Sequence, residues 1–436
     1  MTPSAQPSRP NEQANFWKVF AAERYHGVSF TASLRTRVTV IGAGYTGLST
    51  ALHLAENNMD SVVLEAGEGG AGASGRNAGG LLAKWPDAAA EEIEAKYGKT
   101  AGHRLNGMVA SSVRLVTRII DDYATNADLR MSGIHLAAHN RRAVPRLMAL
   151  ATQWSDRSNP ISVPEESAIP AALGTERYRM AVRFEQTGTL HPLSFTLGLA
   201  RAYTGLGGQV LTNSAPTALF KVGDDWIVNT EKGTLSAEYV IVATDGFTNG
   251  RLPALDRCFY RLPVAMVCSS PVLEAGSIFG GSSKIPLGDS NSNNPLWFLI
   301  DHNSRLIAST LPRRRNRAGD GNPYQSIKKR FRRVYPSLPK LDWDYHWSGH
   351  ITTTPDRCPR VFELDRRLYA PGGYAGQGLS TAVAVGKEFA KVIASSNAAV
   401  SDIPITKPRA VVWPKMISLA VKSIGFPALR LLDRFY

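Results

Sequence analysis

The sequence predicts an α/β protein built around a parallel sheet, and three adjacent features predict it. Arg37-Val38-Thr39-Val40-Ile41 is a short apolar run rich in β-branched residues, as a buried strand requires. Glycines follow it, and then a helical pattern from Thr46 to about Glu56. A second strand, Ser61-Val62-Val63-Leu64, ends at Glu65. Strand, helix and strand within about thirty residues make a βαβ unit.

The glycines give that unit its chemistry. Gly42-Ala43-Gly44-Tyr45-Thr46-Gly47 lies between the first strand and its helix. In a Rossmann-type fold the first glycine permits the tight turn and the second lets backbone N–H groups approach a pyrophosphate. The third packs helix against strand. Glu65 closes the second strand, where a carboxylate accepts hydrogen bonds from an adenosine ribose. Tyr45, Thr46 and Ala66 complete the expected dinucleotide contacts. This much does not separate NAD from FAD. The next segment does: Gly70-Ala71-Gly72-Ala73-Ser74-Gly75-Arg76-Asn77-Ala78-Gly79-Gly80. Small residues such as Ala73 let a backbone lie flat against a ring system, while Ser74, Arg76 and Asn77 offer donors to phosphate or flavin oxygens. FAD is the expected cofactor.

Further motifs follow in order. They are Leu190-His191-Pro192, then Val240-Ile241-Val242-Ala243-Thr244-Asp245-Gly246, then Trp347-Ser348-Gly349 with Thr354-Pro355-Asp356-Arg357-Cys358-Pro359. The last is Gly373-Tyr374-Ala375-Gly376-Gln377-Gly378. With these the chain resembles the D-amino-acid-oxidase-like superfamily of FAD enzymes, and within it the γ-glutamylputrescine oxidase-like branch. The resemblance covers about residues 37–395.

The resemblance implies a discontinuous layout: a Rossmann-type FAD-binding domain over 36–84, 186–250 and 346–400, and an α+β substrate domain over 85–185 and 251–345. An antiparallel sheet of the second would roof the flavin. It further implies flavin contacts from Ala243, Thr244, Gly373, Gly376, Gln377, Gly378 and Leu379. The turn ending at Gly378 would aim a helix N-terminus, a positive dipole end, at the flavin ring. His350 and Tyr374 would face the flavin and are the catalytic candidates, for steering or proton relay. Relatives that tether flavin use a cysteine where Gly349 stands, so the FAD is expected to be non-covalent. Relatives that grip an α-carboxylate place a cation where Ile351 or Ser380 stands, so a substrate anion should lie far from the reacting carbon. Arg305 and Arg313–Arg315 are the distal cations expected to meet it.

Outside these motifs, residues 1–35 read as a loosely ordered arm with a short helix near Phe16–Arg24. Residues 87–155 are largely helical in pattern, 193–205 form another helix, and short strands run from Val210 to Ala243. Ser277–Asn294 is rich in Gly, Ser and Asn and reads as loop. A last helix spans about 379–394. The tail 401–436 is amphipathic, which allows either docking on the protein's own surface or association with a membrane surface.

Composition narrows the function classes. The 436 residues carry a net charge of +14, with Arg313, Arg314, Arg315, Arg317, Lys328, Lys329, Arg330, Arg332 and Arg333 in one stretch. Such a stretch is a solvated face or an anion-binding surface. It carries no basic motif with regularly interleaved aromatic residues, so no nucleic acid is expected. Cys258, Cys268 and Cys358 have no metal-ligand spacing, and no metal is expected. The beginning of the chain lacks an apolar signal core, and no run reaches the roughly eighteen apolar residues of a membrane span. A cytoplasmic location is expected.

Together these features predict FAD-dependent oxidation of a primary or secondary amine to an imine and then an aldehyde. The substrate would be a γ-glutamylated or N-alkylated amine or an ω-amino acid, and the electron acceptor oxygen or another species. An amino-acid dehydrogenase that passes electrons to a quinone is the alternative. A flavoprotein that binds RNA is the alternative from another class. The oligomeric state stays open.

Overall fold

The β-branched run at the start of the flavin motif is a central strand with a partner on either side. The computed structural model describes residues 15–410, except 31–32, 87, 156, 158, 249–251, 292–295, 311–324 and 398–399. In chain order α1 (Phe16–Phe20) and β1 (Val28–Ser29) lead to β2 (Leu34–Ile41), α2 (Tyr45–Glu56) and β3 (Ser61–Leu64). Then come β4 (Gly80–Leu81), α3 (Ala90–Tyr97), α4 (Lys99–Asp122), β5 (Ile134–Ala137) and α5 (Val144–Ser155). They are followed by β6 (Ile161–Ser162), α6 (Ile169–Leu173), β7 (Ala181–Phe184), β8 (Gly188–Thr189) and α7 (Pro192–Gly205). Strands β9 (Gln209–Thr212), β10 (Pro216–Val222), β11 (Asp225–Thr230) and β12 (Thr234–Val242) precede α8 (Pro253–Asp256). The chain continues as β13 (Tyr260–Pro271), α9 (Ala275–Phe279), β14 (Leu287–Asp289), β15 (Trp297–Ile300), β16 (Arg305–Thr310) and α10 (Gln325–Val334). It closes with β17 (Tyr345–Thr353), β18 (Arg360–Asp365), β19 (Leu368–Gly372), α11 (Gly378–Ser395) and β20 (Ile405–Thr406).

Two large sheets result. The first runs β1-β9-β3-β2-β12-β19-β18-β20, with β11 on β12 and β10 on β11. Its centre is parallel: β2 pairs with β3 from Val38↔Ser61 to Ile41↔Leu64, and with β12 from Leu235↔Leu34 to Val242↔Ile41. Helix α2 is buried from Tyr45 through Leu54, because α11 and α7 cover the faces that the sheet leaves open. A helix so enclosed needs no polar stripe.

The second sheet runs β17-β13-β16-β15-β14-β5-β7-β6 and is antiparallel except where β14 pairs with β5. Alternation gives it two faces. Ala265 and Val267 turn to one side, into a core with Phe279, Ile327, Phe331 and Tyr335. Leu262, Val264 and Met266 turn to the other and line the cavity between the sheets.

Three expectations need correction. The flavin-domain segment expected from 346 takes in β17, but β17 pairs with β13 along its whole length, from Tyr260↔Thr353 to Cys268↔Tyr345. It therefore belongs to the roof. The N-terminal arm is not loose from residue 15 onward. Phe16 and Trp17 are buried among Met266, Tyr345 and Trp347, and Trp17 Nε1 donates to Asn77 O at 2.8 Å. Within Ser277–Asn294, Leu287–Asp289 forms strand β14 and is wholly buried. Its backbone partners, not its residue types, make it a strand. Residues 411–436 of the amphipathic tail lie outside the described residues, and among those described no helix is long and apolar enough to cross a membrane.

Candidate cofactor site and active site

The first sheet, the loop after β3 and the roof sheet enclose a cavity of about 1410 Å³. Its floor is mostly backbone. Gly42 has a φ of 112°, and a Cβ there would stand 3.0 Å from Ala243 O. A Cβ on Gly44 would stand 2.9 Å from Ser74 Oγ, the atom that accepts the Tyr45 N–H at 3.0 Å. Gly47 lies off the cavity, and a Cβ on it would collide with Gly42 O at 2.0 Å. It packs helix on strand.

Glu65 lines the cavity with Ala66. Its carboxylate is fixed by the N–H groups of Ala43 (2.8 Å) and Gly67 (3.0 Å). Each oxygen keeps a lone pair for a ribose hydroxyl. Ala73, Ser74, Arg76, Asn77, Ala243 and Thr244 also line the wall. Asn77 spends its side chain within the loop, donating to Tyr45 Oη (3.0 Å) and Ser74 O (2.9 Å) and accepting from Gly79 N (2.9 Å). It shapes the loop. Arg76 donates to Ala71 O (3.0 Å) and Ser348 O (3.2 Å), which ties the loop to the roof.

At the far end Gly376, Gln377, Gly378 and Leu379 line the cavity. Gly373 does not; it donates its N–H to Asp245 Oδ1 at 2.8 Å. Helices α2 and α11 both begin at the cavity without a cap from their own N-cap residue, and Ser74 Oγ takes only the first N–H of α2. Such N-termini present free N–H groups and positive dipole ends. Thr244 Oγ1 is buried and has no hydrogen-bond partner. Backbone donors, a ribose-ready carboxylate and an orphaned hydroxyl along one long cavity fit FAD. Among the described residues no cysteine lines it.

The catalytic candidates part company here. Tyr374 is buried, and its hydroxyl shares a 2.7 Å hydrogen bond with Thr46 Oγ1. Burial pushes its pKa up. Tyr374 also lines the cavity, and its hydroxyl ties α2 to the glycine turn, so a proton-relay role for it is a proposal. His350 lines the cavity, on the opposite face of β17 from Ile351, with Phe247 6.2 Å from its ring. It keeps its candidacy from the rim.

Arg305 was expected to meet a distal anion, and the structure places it elsewhere. It lies 4.2 Å over the Phe20 ring and 3.8 Å from Asp301, off the cavity. Arg313–Arg315 lie outside the described residues. Among the described residues the lysines and arginines that line the cavity are Arg76, Lys84, Arg142, Arg146 and Arg357. Asp245 also went unassigned. Its carboxylate accepts from Thr352 Oγ1 and from Gly373 N, which joins floor, roof and glycine turn. Its positive φ of 52° in a turn after a strand was the available signal.

Comparison with known proteins settles the family. Residues 37–392 match the DAO family, described as FAD dependent oxidoreductase. The chain belongs to this family. It is an FAD-dependent oxidoreductase, and FAD is its cofactor. Among curated relatives it is 28% identical over 372 residues to gamma-glutamylputrescine oxidoreductase of Escherichia coli (strain K12), covering 83% of this chain and 84% of that one. It is 26% identical over 365 residues to glycine oxidase of Bacillus licheniformis, covering 81% and 92%. Among solved structures, L-proline dehydrogenase from P. horikoshii superposes with a TM-score of 0.69 at 17% identity, covering 84% of this chain and 95% of that one. Glycine oxidase from Geobacillus kaustophilus gives 0.68 at 18%, covering 84% and 98%. At these identities the solved structures speak for the fold alone.

Proposed function

We propose that the protein oxidises a primary or secondary amine whose anionic group lies several bonds from the reacting carbon, with FAD held non-covalently. The observation that carries this reading is the division of the cavity's side chains. Leu262, Val264, Met266 and Ile351 form an apolar roof, while Lys84, Arg142 and Arg146 bring positive charge from other segments. An amine must be neutral to lose hydride, and apolar surroundings disfavour the ammonium form. Bound FAD supplies the two-electron acceptor. The roof excludes water and orients the C–N bond. Water then hydrolyses the imine to an aldehyde and the remaining amine.

Ser380, one of the two positions where a cation would grip an α-carboxylate, donates to Leu82 O at 2.9 Å and is buried. The other is Ile351. The curated relative named gamma-glutamylputrescine oxidoreductase supports an amine as the substrate class. The test is an anaerobic mixture of the holoprotein with a panel of amines and of 2-hydroxy acids, followed by absorbance, with carbonyl products trapped. Bleaching by amines with a trapped aldehyde is expected. Bleaching by hydroxy acids alone would overturn the reading.

A further inference from the structure

Lys84 is the least expected group on the cavity wall. It sits in the apolar run Leu81-Leu82-Ala83-Lys84-Trp85, immediately after the flavin loop. It is 5% exposed. Its Nζ donates to Trp85 O at 2.9 Å and Pro86 O at 3.1 Å. An ammonium carries three N–H donors, so one remains. Among the described residues no carboxylate pairs with it, and the charge acting on it is that of Arg146, of the same sign. Burial, and then Arg146, lower its pKa to about 8.

A buried cation beside a second cation is costly unless an anion joins them. Two backbone carbonyls satisfy hydrogen bonds without supplying a counter-charge. A lysine that merely closed the Trp85–Pro86 turn would gain nothing from facing the cavity. Arg142 and Arg146 line the same cavity and are exposed, so they stand at its mouth. The arrangement runs from exposed guanidinium groups to a buried ammonium, which attracts an anion and then holds it.

We propose that Lys84, assisted by Arg146 and Arg142, is the subsite for the anionic end of the substrate, a carboxylate remote from the oxidised C–N bond. This rests on the amine-oxidation reading for its second half only, because binding of an anion can be measured without turnover. Lys84 is thus a specificity-determining residue.

The probes are glutarate, which cannot be oxidised as an amine, and its neutral diamide, titrated into holoprotein while the flavin spectrum and heat are followed. Glutarate should bind and the diamide should not. Lys84→Met should weaken glutarate by roughly thirtyfold or more, as loss of one partner of a buried charge pair does. Lys84→Arg should retain most of the affinity, and Arg146→Gln should lose part of it. Turnover gives the second arm. With 5-aminopentanoate and its amide, Lys84→Met should collapse the kcat/KM preference for the carboxylate, chiefly through KM. Equal glutarate affinity in wild type and Lys84→Met overturns the proposal. So does a fall in kcat of the same size for both amines with KM unmoved, which would put Lys84 at the reacting nitrogen. Lys84-dependent glutarate binding with no flavin reduction by any amine would leave the subsite standing and sink the amine reading. If Lys84→Met does not fold, Lys84→Arg and Arg146→Gln carry the same comparison.

Discussion

The floor and the far walls of the cavity are made of different material. The floor is backbone and glycine: Gly42, Gly44 and the starts of α2 and α11 leave N–H groups facing inward and little room for side chains. The walls opposite are side chains, apolar on the roof strand β13 and cationic at Lys84, Arg142 and Arg146. A backbone floor recognises what every member of the family shares. Side-chain walls can be exchanged one residue at a time, so they set the substrate. Substitutions on the floor should therefore remove the cofactor, and those on the walls should redirect specificity while FAD stays bound.

The sharpest break in that contrast is Gly44→Val. A Cβ at this position already stands 2.9 Å from Ser74 Oγ, and a branched side chain would fill the space of the pyrophosphate. The purified variant should be colourless. A normal flavin spectrum would show that the floor has been misread. Next in size is Glu65→Gln, which keeps shape and loses charge. Charge-assisted hydrogen bonds contribute about 1.5–3 kcal/mol, so FAD affinity should fall roughly tenfold to a hundredfold in an apoprotein titration. An unchanged Kd would count against the ribose contact.

Lys84 tests the walls through stability. Its pKa falls from an ordinary 10.5 to about 8. Below pH 8 the folded protein bears a buried cation; between 8 and 10.5 it has released the proton while the unfolded chain still holds it. Raising pH through this window therefore relieves a cost. Lys84→Met should melt higher than wild type, with the gap largest below about pH 8 and narrowing toward 10.5. Calorimetry of both proteins across that range checks it; a gap that widens with pH contradicts it. The smallest effect is Tyr374→Phe, which removes the 2.7 Å bond to Thr46. It should cost about 1 kcal/mol of stability and leave the pH profile of kcat unmoved. A displaced profile would support Tyr374 as a proton relay.

The two materials also differ in how far sequence reveals them. Gly42–Gly47, Glu65 and the loop to Gly80 could be read directly, because backbone recognition demands glycine at fixed spacing. The walls could not. Arg305 looked available to a substrate, yet Asp301 and the Phe20 ring hold it off the cavity, and both contacts depend on tertiary placement. Lys84 went unnoticed as one charge in an apolar run, although such a run just past the flavin loop was the signal. The arm failed for a related reason. Its polar beginning masked Phe16 and Trp17, whose burial against Tyr345 and Trp347 pairs residues far apart in the chain. Strand β14 had no signal of its own, since β5 and β15 on either side make it a strand.

The central claim is that the substrate's anion lies away from the reacting carbon. An α-amino acid would find Ile351 and Ser380 where a cation would grip its carboxylate, and an unpaired buried charge is costly. The most direct measurement is the anaerobic rate of flavin reduction by sarcosine, glycine, D-alanine, D-proline and γ-glutamylputrescine, side by side over a range of concentrations. γ-Glutamylputrescine should lead each α-amino acid by at least roughly tenfold in the apparent second-order constant, a gap of about 1.4 kcal/mol. An α-amino acid that reduces the flavin fastest would contradict the account, and Arg76 would become the candidate for its carboxylate.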